Sequence, residues 1–273
     1  MDDSHHISKQ KLKFAKSLLQ KKHRTEEALF IIEGWRSLVD ACAAGVHGKM
    51  FLYTHEAQSN AQYARVFASV LKIADEAFEV SEHELSTVSD TVAAQGVVMI
   101  LPQFTYTLDA ALGAPATDDK RIIVALDRIS EPGNAGSIIR SADWFGASAV
   151  VMSEESVEMY NPKVVRSTMG SIFHLPVIEC GGKNQSALSF ADALIACKKA
   201  GFTLYAADVN ASADLRSVHW DKNSLIVIGN EAHGLSHDVV PLVDRCVTIP
   251  KFGKAESLNA GTAAAVILGA MRL

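Results

Sequence analysis

Three short stretches of the chain gather residues whose types could do chemistry. In "EPGNAGSIIR", 131–140, Asn134 stands where it can cap a helix and leave the first-turn amides of Ala135 and Gly136 pointing outward. Such a helix terminus attracts anions. Arg140 lies off the apolar face made by Ile138, Ala142 and Phe145, so its fork is free to reach a phosphate or a hydroxyl. The alternative is a surface arginine beside Asp127 or Asp143, and spacing alone does not choose between the two. In "IVIGNEAHGLS", 226–236, a strand runs into Gly229, whose bare backbone admits a close ligand, and Glu231 and Gly234 follow; a plain tight turn with a helix-start acid reads equally well. In "IPKFGKAESLNAGTAAAVIL", 249–268, Ser257 or Asn259 is placed to cap a nearly continuous apolar helix. Neither G-x-G-x-x-G nor G-x-x-x-x-G-K-[ST] occurs, so dinucleotide and P-loop nucleotide binding lack their fingerprints.

The elements that must position these residues alternate. Strands are expected at 121–126, 148–152, 175–178, 203–207, "SLIVIG" and "CVTIP", and helices at 135–146, after Pro162, at 187–199 and at the C-terminal end. This order predicts a mostly parallel sheet covered on both faces, with ligands beyond the carboxyl ends of its strands. Upstream, Leu12, Ala15 and Leu19 mark one face of an amphipathic helix over 9–22. The strand "LFIIEG", the helix "WRSLVDACAAG", the strand "KMFLYT", a helix over 61–74, the strand "AFEV", a helix opened by a capping box from Ser81 to Glu84, and "GVVMIL" complete a small α/β unit. The domains are therefore 1–104 and 121–273, with "TYTLDAALGAPATDDK", 105–120, as linker.

Bulk composition narrows the class. With 273 residues, 48% hydrophobic and 21% charged, the chain is neither disordered nor fibrous. The apolar run "AGTAAAVILGAM", 260–271, is shorter than the roughly 20 residues a membrane crossing needs, and the start "MDDSHHISKQKLKF" has no apolar core, so a cytoplasmic location is expected. Cys42, Cys180, Cys197 and Cys246 show no C-x-x-C spacing, which reads as free buried thiols, and no metal is expected. A net charge of −5 points away from nucleic acid, yet 9–24 carries seven Lys or Arg and no acid. Lys21, Lys22 and Arg24 in that arm are either a solvated helix face or phosphate contacts.

Taken together and in this order, the three stretches resemble the three motifs of the SpoU/TrmH class of RNA 2′-O-ribose methyltransferases, in the SPOUT superfamily. "NPKVVRSTMGSIFHLPV", 161–177, resembles the segment that links the first two motifs, and "KKHRTEEALFIIEGWRSLVDA" the opening of the small RNA substrate-binding domain, related to ribosomal proteins, that many members carry. The resemblance implies an α/β fold in which a SPOUT domain with a trefoil knot follows a small α/β RNA-binding domain. It further implies S-adenosylmethionine as methyl donor and a homodimer with the active site near the subunit interface. Carried over by motif, Gly229, Ile249, Leu258 and Asn259 hold the cofactor, Arg140 acts on the ribose hydroxyl, Asn134 and Glu231 organise it, and Ser257 and Asn259 shape the acceptor side. With RNA as substrate, ribosomal in preference to transfer RNA, Lys21, Lys22 and Arg24 become phosphate contacts. The alternative is a non-catalytic RNA-binding or ribosome-assembly protein on the same fold. One departure stands out: members commonly read "SLNVS" where this chain reads "SLNAG", with Ala260 and Gly261 after Asn259.

Overall fold

A computed structural model of the protein describes residues 6–89, 95–113, 115, 118–181, 187–209 and 211–273. The chain divides into two compact units, one of residues 1–104 with 160–173, the other of 105–159 with 174–273.

In the first unit, strands β1 (Leu29–Glu33), β2 (Gly48–Tyr53), β3 (Ala74–Glu79) and β4 (Val97–Pro102) form a sheet in the order β1-β4-β2-β3. β4 runs antiparallel to β1 and β2, while β2 and β3 are parallel. The basic arm is two helices, Lys9–Ser17 and Lys21–Glu27, where the periodicity predicts one. At the break, the Leu18 carbonyl accepts the Arg24 guanidinium at 2.8 Å. Arg24 is thereby only 2% exposed, which corrects its assignment as a phosphate contact. Ala15 and Leu18 seal the arm onto Leu29, Ile31, Leu52 and Ile100 of the sheet. The capping box of Ser81 and Glu84 forms as its spacing predicts.

Residues 160–173 belong with this unit although they lie within the second half of the sequence. The Tyr160 ring packs on Phe30 at 4.6 Å, and its hydroxyl accepts from the Phe104 amide at 2.6 Å. Gly170, with φ +96°, lets the chain pass Asp40, whose carboxylate would lie 2.0 Å from any Cβ there.

The second unit is a seven-stranded sheet of β5 (Arg121–Asp127), β6 (Ala149–Met152), β7 (Val177–Glu179), β8 (Thr203–Ala207), β9 (Ala213–Asp214), β10 (Asn223–Gly229) and β11 (Arg245–Thr248). The order is β7-β6-β5-β10-β8-β11-β9, with every neighbouring pair parallel. Ile123 to Leu126 and Leu225 to Val227 are fully buried, as strands covered on both faces must be. The chain leaves β5 towards β6 on one side and meets β10 on the other, so the loops after β5 and β10 open side by side, in register at Asp127 and Gly229. The two-residue β9 has no counterpart in the sequence pattern, being too short to show alternation.

The segment 105–120, expected as a linker, carries a helix, Leu108–Leu112, capped by Thr107. Leu108 and Ala111 are buried with Ile123, Val151 and Leu194, so apolar burial draws this stretch into the second unit's core. At the other end, helix Ala260–Arg272 packs along helix Pro132–Trp144. Arg272 donates to the carbonyls of Phe145 at 2.8 Å and Gly146 at 2.6 Å, where that second helix ends.

Candidate active site

Helix Pro132–Trp144 starts earlier than the sequence suggests, because proline is well suited to the first helical position. Glu131, not Asn134, is its N-cap, and the Glu131 carboxylate accepts the Asn134 amide at 2.6 Å. This corrects the reading of Asn134 as the cap and changes what its side chain can do. Relieved of capping, the Asn134 amide points into the space between the three loops.

There it joins all three motifs. Asn259 caps helix Ala260–Arg272 by accepting the Thr262 amide through Oδ1 at 3.2 Å, which forces its Nδ2 to be the donor on the other side. Nδ2 of Asn259 donates to Oδ1 of Asn134 at 2.7 Å. With its oxygen so engaged, Asn134 presents Nδ2 to the Glu231 carboxylate. The helix cap at one end and the Glu231 side chain at the other fix the sense of the bonds in this chain.

Glu231 is delivered by a rigid loop. The Asn230 and Gly234 backbones exchange hydrogen bonds at 3.1 and 2.9 Å, while Oδ1 of Asn230 accepts the Ala232 and His233 amides at 2.9 and 3.1 Å. A Cβ on Gly229 would lie 2.8 Å from the Gly234 carbonyl, so glycine is required there by this loop's own backbone. The loop is tied to the end of β5: Nδ2 of Asn230 donates to the Arg128 carbonyl at 2.9 Å, and Arg128 donates to the Gly234 carbonyl at 3.3 Å. The Asp127 carboxylate, 1% exposed, accepts the Ser236 amide at 2.5 Å and lies 3.5 Å from the Arg128 guanidinium. Arg128 itself adopts φ +58°, a left-handed conformation that a non-glycine residue holds at a cost of about 1–2 kcal/mol. Asp127, Arg128 and Asn230 were not singled out as site residues in sequence. Their signal was a charged pair closing the strand "RIIVALD" and an amide directly after Gly229.

Arg140 is exposed and forms no ion pair among the described residues. Both carboxylates that could have claimed it are taken: Asp127 faces Arg128, and Asp143 pairs with His174 at 3.2 Å. It also stands apart from Asn134, since six residues along a helix amount to roughly 120° of rotation. Ser257 and Leu258 are exposed, on a stretch from 250 to 258 that makes no backbone hydrogen bond to the described residues. Ile249 and Gly229 are half-buried at the carboxyl ends of β11 and β10. Lys21 and Lys22 are exposed in the first unit. The folded chain thus brings Asn134, Glu231 and Asn259 together and leaves Arg140, Ser257 and Leu258 facing solvent.

The altered third motif also has a physical account. A Cβ on Gly261 would lie 2.3 Å from the Ser137 hydroxyl, which donates to the Asn134 carbonyl at 3.0 Å. The Ser137 hydroxyl, on the facing helix, takes the space that a side chain at 261 would need.

The residues suit an adenosyl group by the chemistry of their donor set. Main-chain amides and carbonyls at 251–257, without a backbone partner among the described residues, lie between half-buried Ile249 and exposed Leu258, giving apolar side chains and backbone edges at the strands' carboxyl ends.

An α/β unit with a parallel sheet, motif-bearing loops at adjacent strand ends and a polar chain across them defines a class, and comparison with known proteins agrees. The SpoU rRNA Methylase family model matches residues 121–269, and the chain belongs to that family. The MRM3-like substrate binding domain matches residues 9–99. Over 263 residues the chain is 28% identical to the 23S rRNA (guanosine(2553)-2′-O)-methyltransferase RlmP of Bacillus subtilis, covering 96% of each protein. It is 38% identical over 168 residues to the 23S rRNA (uridine(2479)-2′-O)-methyltransferase of Streptomyces viridochromogenes, covering 58% of this chain and 57% of that one. Among solved structures, the SpoU methyltransferase AviRb from Streptomyces viridochromogenes in complex with the cofactor AdoMet superposes with a TM-score of 0.82 at 29% identity, covering 97% of each chain. The resemblance read from the three motifs is borne out, as is the α/β class with a mostly parallel sheet and a separate small sheet.

Proposed function

We propose that the protein transfers a methyl group from S-adenosylmethionine to a ribose 2′-hydroxyl of structured RNA, and that the RNA is ribosomal. The observation that carries this reading is the hydrogen-bonded chain from Asn259 through Asn134 to Glu231, which joins the three motifs at one point. The named relatives act on 23S rRNA, which supports the ribosomal choice. S-adenosylmethionine, when bound, supplies an activated methyl group, so the protein's tasks are alignment and handling of the hydroxyl.

Gly229, Ile249, Leu258 and Asn259 hold the adenosyl part, largely through backbone groups. Arg140 anchors a substrate phosphate and orients the hydroxyl; a guanidinium stays protonated in proteins, so it works as a donor. Asn134 and Glu231 fix the acceptor side, with Ser257 and Asn259 closing it. The first unit binds RNA, with Lys21 and Lys22 on phosphates, and neutralising phosphates makes affinity fall with salt. The units act as an RNA-binding domain and a knotted methyltransferase domain. The protein works as a cytoplasmic homodimer. Supporting the dimer, Arg140 and Trp144 share one helix face four residues apart, and Trp144 is 84% exposed. No helix among the described residues is long and apolar enough to cross a membrane.

Labelled methyl transfer to unmodified total RNA tests the reaction. The wild type is expected to label RNA at ribose. Arg140→Ala is expected to lose turnover while binding S-adenosylmethionine as before, and Arg140→Lys to fail as well, because a lysine lacks the planar fork. Retained turnover in Arg140→Ala contradicts the role given to it.

A further inference from the structure

The loop after β11 carries a feature that cofactor binding does not use. Phe252 is 87% exposed, beyond what any other described aromatic side chain shows. Its ring is backed on one side by the Arg216 guanidinium, 5.8 Å from the ring centroid. Arg216 is no loose surface cation, since Nε and Nη2 both bond the Asp214 carboxylate, at 3.1 and 2.5 Å. Before and after Phe252 in sequence, Lys251 and Lys254 are exposed and form no ion pair among the described residues. Next to it, Gly253 has an ordinary φ and nothing within 4 Å of the place a Cβ would take. Neither backbone conformation nor packing within this unit therefore calls for glycine at 253, and the bare backbone leaves open space beside the ring.

An exposed aromatic ring, two lysines without an ion pair among the described residues and open space beside Gly253 form a local match for one chemistry. A nucleobase has a flat face to stack, and its flanking phosphates carry the charge that lysines take up. We infer that Phe252 is a stacking platform for an unpaired base of the RNA substrate at or next to the methylated nucleotide, with Lys251 and Lys254 on the adjoining phosphates. The inference rests on the RNA methyltransferase reading and deepens it: the substrate must present an unstacked nucleotide, as a loop or bulge does and a continuous duplex does not.

The test uses the full chain, ribosomal RNA transcribed in vitro without modification, and the variants Phe252→Ala and Phe252→Trp. Phe252→Ala is expected to weaken RNA binding about tenfold, in keeping with loss of one base–aromatic stack. Sedimentation mass should remain that of the wild type. Phe252→Trp is expected to restore RNA binding and to show RNA-dependent quenching beyond that of the wild-type tryptophans. Unchanged RNA affinity in Phe252→Ala overturns the platform. So does a changed oligomeric mass, which assigns the ring to contact between copies. Wild-type methyl transfer with normal RNA binding by Phe252→Ala removes the platform alone, whereas RNA binding lost in Phe252→Ala with no methyl transfer by the wild type removes the proposed reaction and keeps the platform.

Discussion

Asn134 is the residue on which most of the site turns. It accepts from Asn259 and donates to Glu231, and an ionised carboxylate in its place could only accept. Asn134→Asp replaces the donor by a second carboxylate facing Glu231. We expect turnover to fall by about 100-fold or more, the scale on which a preorganised donor acts, and this is measured as kcat at saturating cofactor. Cys180 and Cys197 give a residue-scale check on the second unit's core. Burial pushes both thiols up to about 12, from an ordinary value of 9.0. Both should resist iodoacetamide at pH 8 in the folded protein, with peptide mapping finding label at exposed Cys246 first. Because the folded state holds these protons more tightly than the unfolded chain, their contribution to stability is complete below about pH 9 and is lost as pH climbs towards 12. A denaturation midpoint that rose with pH across that window would contradict the burial.

At the scale of elements, the packing of helix Ala260–Arg272 on helix Pro132–Trp144 sets the distance from Asn259 to Asn134. Gly261→Ala places a methyl group 2.3 Å from the Ser137 hydroxyl and should destabilise the protein by about 1–3 kcal/mol in urea unfolding. Adding Ser137→Ala removes the offending oxygen and leaves the 137 Cβ at 3.4 Å and Oδ1 of Asn259 at 3.2 Å, so the double variant should recover part of the loss. Strictly additive penalties would show that the two helices do not meet there. These elements were legible in the sequence in proportion to their periodicity. Strands such as "RIIVAL" and "SLIVIG" are continuous apolar runs, and both formed where expected. The start of helix Pro132–Trp144 was misplaced because Asn134 is the better-known capping type, while Glu131 won through the proline that follows it. The arm over 9–22 reads as one helix because its apolar spacing is continuous, and the break at Leu18 goes with a buried bond to Arg24 that periodicity does not encode.

For the whole molecule, the proposed reading gives the first unit substrate holding and the second the chemistry. Lys21→Glu with Lys22→Glu should weaken RNA binding and flatten its salt dependence without changing labelled cofactor binding. Arg24→Ala should instead lower stability, since its guanidinium is spent on the Leu18 carbonyl. The composition of the chain pointed away from nucleic acid, and only the local distribution of charge and the ordered motifs pointed towards it. Asn134, Glu231 and Asn259 are separated by 97 and 125 residues, so their meeting could be inferred by resemblance but not from spacing. The central claim is that this meeting point serves 2′-O-methylation of ribosomal RNA. Its most direct measurement is a map of 2′-O-methyl positions in ribosomal RNA from cells with the gene, without it, and with the Asn134→Asp variant. One ribose should carry the methyl group only with the wild-type gene; identical maps in all three would contradict the claim.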